Sequence, residues 1–544
     1  MCRRLVPLLA LLLPLGAWSA DATPTPPGPL PPDAELEAAG ARIGTITIVS
    51  RQIFDLQDPR ENHALYRLAN RLHIRTRPGV IRAQLLFHEG EPYRRQALEE
   101  TERNLRRLQY LREPHVRPVR YHDGLVDVEV QTQDVWTLQF GPSYSRSGGT
   151  DHSSFEIQDN NLFGFGKTLV VGAGRDVDRT STYLEWRDGN VLGSHWRDSA
   201  RWIESSDGYV HTGALWLPFY SLTTRLAGGL AVAESHWSNS RYALGEHYDQ
   251  YDSRIRSLDA YFGWSPGLQG RVTRRYSVGL RVDESRFAAD PGGATLGPVP
   301  LDRVLRYPYL RFDLITNAFR KVENHDLIAR TEDQQFGLNA TVLAGWAGRS
   351  LGADRNAVLL ESALQYGWSL GGDHDLFAAV SGSSRVEHGV AVDTRWHAET
   401  SWYWSTSPHT LLHLHAAWDA GHRLDLDHYL ELGGDNGLRG YPLRYQLGTR
   451  RTIMKLEERV YTEWSLWRLF DIGGAAFFDI GRVSGPNPIA VPQLGWLKDA
   501  GVGLRLGNSR SSLGNVIHID LAAPLGAPGN ISSLQFLVGT EATF

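Results

Sequence analysis

From Val135 to Phe544 the chain repeats one pattern: segments of roughly ten residues in which apolar and polar positions alternate, set apart by short runs of Gly, Asp, Asn and Ser. Trp396, Ala398, Thr400, Trp402 and Trp404 alternate with His397, Glu399, Ser401 and Tyr403, and Leu412, Leu414, Ala416 and Trp418 with His413, His415 and Asp419. Such a strand has one greasy face and one wet face, so it must bury or immerse every second residue. The 17 Trp, 21 Tyr, 18 Phe and 55 Gly suit a large β-protein. No apolar run reaches the ~18 residues of a membrane helix. A β-barrel shows lipid only alternate residues and is untouched by that exclusion. A soluble sandwich would also alternate, but three features favour a barrel. Trp402, Trp404, Trp464 and Trp467 cluster near the ends of predicted strands, as interface girdles do. The hairpins continue to the end of the chain without an intervening helix. The last strand places Phe536, Val538, Thr540, Ala542 and Phe544 on one face and ends on an aromatic residue. Counting gives roughly 16 to 20 strands, and an even number is expected.

The first 135 residues read differently. Arg3 and Arg4 precede an apolar run from Leu5 to Leu15, and Ala20-Asp21-Ala22 has the form of a cleavage site, so residues 1–22 are expected to be a signal peptide. Residues 23–40 read as a linker whose proline-rich part, Thr23 to Pro32, is an extended tether. Residues 41–135 read as a small α+β domain. Ile46 and Ile48 alternate with Thr45 and Thr47 as in a strand. Asp58-Pro59, with Glu61 at capping-box spacing, predicts a helix start, and Leu65, Leu68, Ala69 and Leu72 form one apolar stripe on it. A longer helix is predicted from Tyr93 to Tyr110, with Leu98, Leu105 and Leu108 buried. Arg103, Arg106 and Arg107 read as a solvated face paired with Glu99 and Glu102. Two strands close the domain, and an exposed sheet edge there would be able to add an extended peptide. The net charge of −5 argues against a nucleic-acid module. The single cysteine, Cys2, lies in the expected leader, so the mature chain would have no disulfide and no thiolate site.

Two motifs in the barrel segment carry a family resemblance. One is Gly437-Leu438-Arg439-Gly440-Tyr441, in a long loop, and the other is Phe477-Phe478-Asp479-Ile480-Gly481, on a following strand. Together they resemble the bacterial surface-antigen superfamily, which includes BamA, TamA and the two-partner-secretion transporters. The stretch Leu456 to Arg459 resembles that family's L-E-x-R strand. Ala500-Gly501-Val502-Gly503-Leu504-Arg505 and the terminal Phe544 match its closing strands. Leu86-Phe87-His88-Glu89-Gly90, Asn104-Leu105 and Tyr110-Leu111 resemble a single POTRA module. The resemblance implies a mainly β protein: a transmembrane antiparallel β-barrel over 136–544, of 16 strands, preceded by the POTRA-like domain in the periplasm. It implies that Leu438, Arg439, Gly440 and Tyr441 fold back into the lumen. Arg439 would meet Asp479 on a wall motif formed with Phe477 and Gly481, and Glu457 and Arg459 would face the lumen. Phe536, Val538 and Phe544 would form the assembly signal. Alternation agrees with the wall motif, because Phe477, Asp479 and Gly481 share one face while Ile472, Ala476, Phe478 and Ile480 share the other. Three features depart from the family. Glu458 falls on the lipid-facing parity, so it lies near a headgroup zone or its strand is bulged. The helix over Leu65 to Leu72 is extra to a minimal POTRA. Only one such domain is present.

Chemical signatures are lacking. Gly348-Arg349-Ser350-Leu351-Gly352 and Gly367-Trp368-Ser369-Leu370-Gly371 have Gly-x-Ser-x-Gly spacing, but both fall within the alternating strand pattern and not at a strand-to-helix turn, so no nucleophile elbow is expected. Gly166-Lys167-Thr168 has Asn161 where a phosphate loop needs Gly. His413 and His415 share a strand face without a third clustered ligand, so no metal and no cofactor is expected. The expected function is insertion of proteins into, or their passage across, the bacterial outer membrane. The expected partners are outer-membrane lipid and lipopolysaccharide, unfolded outer-membrane or secreted clients, and the barrel assembly machinery for the chain's own insertion. The alternative is a passive pore or structural barrel without clients.

Overall fold

The computed structural model describes residues 30–512, 516–529 and 531–541. The expected signal peptide, the tether as far as residue 29, and Phe544 lie outside these. In the N-terminal unit the elements are α1 (Asp33–Ala38), β1 (Arg42–Arg51), α2 (Ala64–Leu72), α3 (Pro78–Arg82), α4 (Arg95–Arg106), β2 (Leu111–His122) and β3 (Leu125–Asp134). The sheet has the order β1-β3-β2, with β1 parallel to β3 and β2 antiparallel to it. Val126, Val128 and Val130 of β3 meet Ile43 and Ile46 of β1, and α3 and α4 cover them with Ile81, Leu98 and Leu105. Residues 33–38 fall inside the stretch read as linker, yet they form α1. Leu36 is buried in this core, and the Tyr93 hydroxyl donates to Asp33 at 2.6 Å.

Three local expectations change. The helix expected to open at Asp58 begins at Ala64. Glu61 accepts from the Asp55 amide at 2.8 Å and from Arg510 and Arg468 of barrel turns at 2.6 and 3.1 Å. Two guanidinium partners outbid a capping role, because a buried carboxylate needs compensation by charge. The apolar stripe of α2 has the predicted spacing but faces away from the core: Leu65, Leu68 and Leu72 are 62%, 48% and 62% exposed. The arginine face of α4 is solvated only in part: Arg107 and Glu99 are exposed, and Arg106 pairs with Glu102 as its spacing predicts. Arg103 and Arg106 are covered by a barrel hairpin described below.

Residues 138–541 form a closed antiparallel barrel of twenty strands among the described residues, from strand 1 (Leu138–Ser147) to strand 20 (Gln535–Glu541). Twenty is the top of the range counted from alternation. It replaces the sixteen implied by resemblance. Turns of two residues at 148–149, 206–207, 244–245 and 388–389 end one alternating run and begin the next, so more strands fit the same length. The first six strands have 9 or 10 residues, whereas Leu226–Ala243, Glu246–Trp264 and Val272–Ala289 have 18, 19 and 18. One side of the barrel is therefore tall. A belt of outward side chains, including Phe140, Leu184, Leu230, Val278, Leu310 and Val502, encircles the barrel and is exposed. On the upper parts of the tall strands the exterior turns charged: Glu234 accepts from Arg254 and pairs with Arg256, at 2.7 and 3.0 Å. No helix among the described residues is long and apolar enough to cross a membrane.

Candidate functional site

Strands 16 (Arg450–Leu466), 17 (Phe470–Ser484), 18 (Leu497–Asn508) and 19 (Val516–Pro524) form one wall. Pleating turns Glu457, Arg459, Phe477, Asp479, Asp499, Arg505, His518 and Asp520 inward, where all are buried. Phe478 and Leu456 on the opposite parity are exposed outside. Residues 423–449 join strand 15 (Thr410–His422) to strand 16 and fold down against this wall from the far end of the barrel. Leu432, Leu438, Tyr441 and Tyr445 of the loop pack on Ile453, Val483 and Leu497 of the wall. The Tyr441 hydroxyl donates to the Lys498 carbonyl at 3.2 Å.

That apolar footing sets Arg439 against Asp479 as the motifs imply. Nε donates to Oδ2 at 2.7 Å and Nη2 to Oδ1 at 2.8 Å, a bidentate pair. The guanidinium lies 3.3 Å from the Phe477 ring centroid. Nη1 also donates to Glu457 at 3.0 Å and reaches Asp520 at 3.4 Å. Arg459 and Arg505 approach the same Glu457 at 3.0 and 3.2 Å, and Arg505 also pairs with Asp520. Three guanidinium groups thus interleave with Asp479, Glu457 and Asp520. A network that is charge-balanced and bonded on both sides tolerates burial. The two glycines have steric reasons. A Cβ on Gly440 would lie 2.6 Å from Asp499 Cβ, and one on Gly481 would lie 3.2 Å from Leu432. Glu458 points outward as its parity requires. The ladder runs without a shift from Arg450 to Tyr461, so no bulge relieves it, and its neighbour Leu412 pairs in turn with Trp404.

Sequence motifs missed Asp520 and the role of Arg505. Both were signalled by polar residues on the inward parity of apolar strands. They also missed a second insertion. Phe319–Glu323 and Thr331–Gln335 form a hairpin that leaves the near end of the barrel and reaches inward. At its tip the His325 carbonyl accepts from Arg459, the Asn324 carbonyl accepts from the Tyr461 hydroxyl at 2.8 Å, and Asp326 accepts from the Tyr403 hydroxyl at 3.0 Å. His413 stacks on Tyr403 at 4.5 Å and meets Arg459 through Nδ1 at 3.0 Å, so this imidazole serves the arginine network. At its base the hairpin grips α4: Lys321 pairs with Glu102, Arg106 pairs with Asp333, and the Arg103 guanidinium sits 4.4 Å from the Phe319 ring centroid. Contacts therefore run unbroken from α4 through the hairpin to Arg459, Glu457, Arg439 and the loop.

The loop also touches the closure of the barrel. The Leu443 amide donates to the Gly148 carbonyl at 2.9 Å, and the Ser147 hydroxyl donates to the Gly434 carbonyl at 2.7 Å, at the tip of the hairpin that strand 1 begins. Strand 20 pairs with strand 19 at seven positions, Val516 to Ala522 against Glu541 to Gln535. With strand 1 the described residues share a single pair, Val538 with Arg146. Phe536 and Val538 of the expected assembly signal lie on the outward parity, Gln535 and Leu537 on the buried one.

No family model and no curated protein sequence matches the chain. Among solved structures it is similar to BamA from Haemophilus ducreyi lacking POTRA domains 1–3, at 12% identity and TM-score 0.38, over 91% of this chain and 84% of that one. It is similar to CdiB from Acinetobacter baumannii at 13% identity and TM-score 0.46, over 92% and 73%. It is also similar to CdiB from Escherichia coli at 14% identity and TM-score 0.45, over 91% and 75%.

Proposed function

We propose that this chain is an outer-membrane barrel that inserts client proteins into the bacterial outer membrane or passes them across it, with residues 41–135 as a POTRA-like periplasmic domain. The apolar belt supports immersion in lipid, since an exterior of this kind in water would be an aggregation surface. The N-terminal unit touches the barrel end that carries the turns around 161–165, 190–194 and 220–224, so a periplasmic unit would have that end facing the periplasm. Its edge strand β2 carries Pro114 and Pro118, each of which removes a donor. The start of β1 is already engaged, where Ile43 exchanges bonds with Gly90 and Glu91, so the later part of β1, residues 47–51, is the edge proposed for an extended client.

The single observation that carries the reading is the seam. Among the described residues strand 20 meets strand 1 at a single pair, while the ladders on either side have seven and ten pairs. A client strand entering lipid must have its amides and carbonyls paired, and an opened seam supplies an edge that pairs them. The Arg439 network and the grip of the loop on residues 147–148 would brace the wall beside this opening. No nucleotide is required, because client folding supplies the driving force.

The test is a double variant, Arg146→Cys with Val538→Cys, at the recorded cross-strand pair. Oxidation is expected to abolish client assembly or export, and reduction to restore it, with the amount of barrel in the membrane unchanged. Normal activity of the oxidised form would reject a working seam.

A further inference from the structure

We propose that α2 is an in-plane membrane anchor, and that the groove between it and the barrel rim seats an acyl chain of a periplasmic-leaflet phospholipid. The inference rests on the membrane-barrel reading and adds to it a lipid contact made outside the barrel strands.

The first observation is the inverted stripe. Leu65, Leu68 and Leu72 lie on one face of α2, and all three are exposed although no bend or polar residue interrupts them. The helix does not belong to the core of its own unit. Tyr66 and Ala69 pack with Ile53, Phe54, Trp136 and Leu469 in a separate cluster against the barrel. The Tyr66 hydroxyl donates to the Trp467 carbonyl at 2.7 Å, and Arg468 and Arg510 hold Glu61, so the helix is pinned to the turns after strands 16 and 18.

The second observation fixes the direction in which the stripe looks. Between α2 and the rim lies an almost purely apolar groove of 320 Å³, lined by Leu65, Leu68, Leu72, Trp136, Phe470 and Asn508 among others. Phe470 pairs with Leu466 on one side and Asn508 on the other. By alternation Phe470 shares the outward parity of Phe478, and Asn508 that of Val502 and Leu504, whose side chains form the exposed belt. The groove is thus continuous with the barrel exterior. Trp464 and Trp467, 74% and 67% exposed, stand at the same rim, where a girdle meets headgroups.

Third, the remaining faces of α2 and the segment after it expose Arg67, Arg71 and Arg75. A helix with leucines on one side and arginines on the other lies flat at a bilayer surface, its cations toward phosphate. An acyl chain fits the apolar groove, and the phosphate above it fits these arginines. A polypeptide client would also bury apolar side chains here, but among the described residues the polar Asn508, Arg510 and Ser511 that line the groove are too few to pair an extended backbone.

The experiment uses the full chain in a Cys2→Ala background with one new cysteine at a time: Leu68→Cys, Leu72→Cys, Arg71→Cys and, on the barrel exterior, Val502→Cys. Each is labelled with an environment-sensitive fluorophore and reconstituted into phosphatidylethanolamine–phosphatidylglycerol vesicles containing acyl-chain nitroxide lipid. Quenching of about two-fold or more by the nitroxide is expected at 68, 72 and 502, with position 71 quenched by aqueous iodide instead. Aqueous quenching at 68 and 72 while 502 remains lipid-quenched overturns the anchor and leaves the barrel reading standing. Loss of lipid quenching at 502 overturns the barrel reading and the anchor with it. Protection of 68 and 72 that appears only when an unfolded polypeptide is added overturns the lipid assignment in favour of a client.

Discussion

Arg439 is the residue on which the lumen network turns, because it satisfies Asp479 on two atoms and touches Glu457 and Asp520 as well. Its removal leaves two or three buried carboxylates short of a partner, a change worth about 3–5 kcal/mol. Arg439→Ala and Asp479→Ala are each expected to impair client handling while the barrel still reaches the membrane. The measurements are client assembly, together with a lowered temperature of the heat-modifiability transition on a gel. Arg439→Lys is expected to rescue only weakly, since an ammonium cannot span both oxygens or stack flat on Phe477. Wild-type activity in both alanine variants would remove the lock. Gly440→Ala makes the same point sterically: its methyl would lie 2.6 Å from Asp499 Cβ, so the loop must lift from the wall.

At the scale of elements, the hairpin of 319–335 links the N-terminal unit to that network. Reversing its base, with Lys321→Glu and Asp333→Arg, sets like charges against Glu102 and Arg106. Faster hydrogen exchange is expected at both the hairpin tip and the 437–441 loop, and an effect confined to the base would break the proposed connection. The tip has its own pH dependence. The Glu332 carboxylate accepts from the amides of His325, Asp326 and Leu327 at 3.1 Å each. Burial, and then the neighbouring Asp326 carboxylate, push its carboxyl up from the usual 4.5 to about 8, against the pull of those amides. An acid raised on docking contributes stability that is full below its undocked value and is lost as pH rises through about 8. Exchange at residues 324–330 is therefore expected to quicken between pH 6 and pH 9 by more than its intrinsic rate, and Glu332→Gln to abolish the excess.

For the whole molecule, the lumen is entered from both ends, by the 423–449 loop and by the 319–335 hairpin, and the two meet at Arg459 and Glu457. With these two segments in the lumen, passage of a client would require them to rearrange, and depletion separates client handling from a passive pore. Depletion followed by outer-membrane proteomics is expected to reveal lost clients. An unchanged proteome, together with steady conductance in planar bilayers, would favour the pore. The tall and short sides of the barrel also place the thin closure beside the short strands, where fewer backbone bonds resist opening.

The barrel, the inward parity of Glu457, Arg459, Phe477 and Asp479, and the motif pair were legible in the chain because pleating is strictly two-fold and survives any closure of the sheet. The leucine spacing of α2 and the presence of α4 were legible for the matching reason that helical periodicity is local, although α4 spans Arg95–Arg106, shorter at both ends than the stretch from Tyr93 to Tyr110. Which way those faces turned was not. The stripe of α2 looks toward the barrel exterior, Arg103 and Arg106 of α4 lie under a hairpin, and Glu61 answers arginines from turns some 400 residues away in sequence. Periodicity assigns residues to faces, but what covers a face depends on contacts between distant segments, and only the folded chain brings those together.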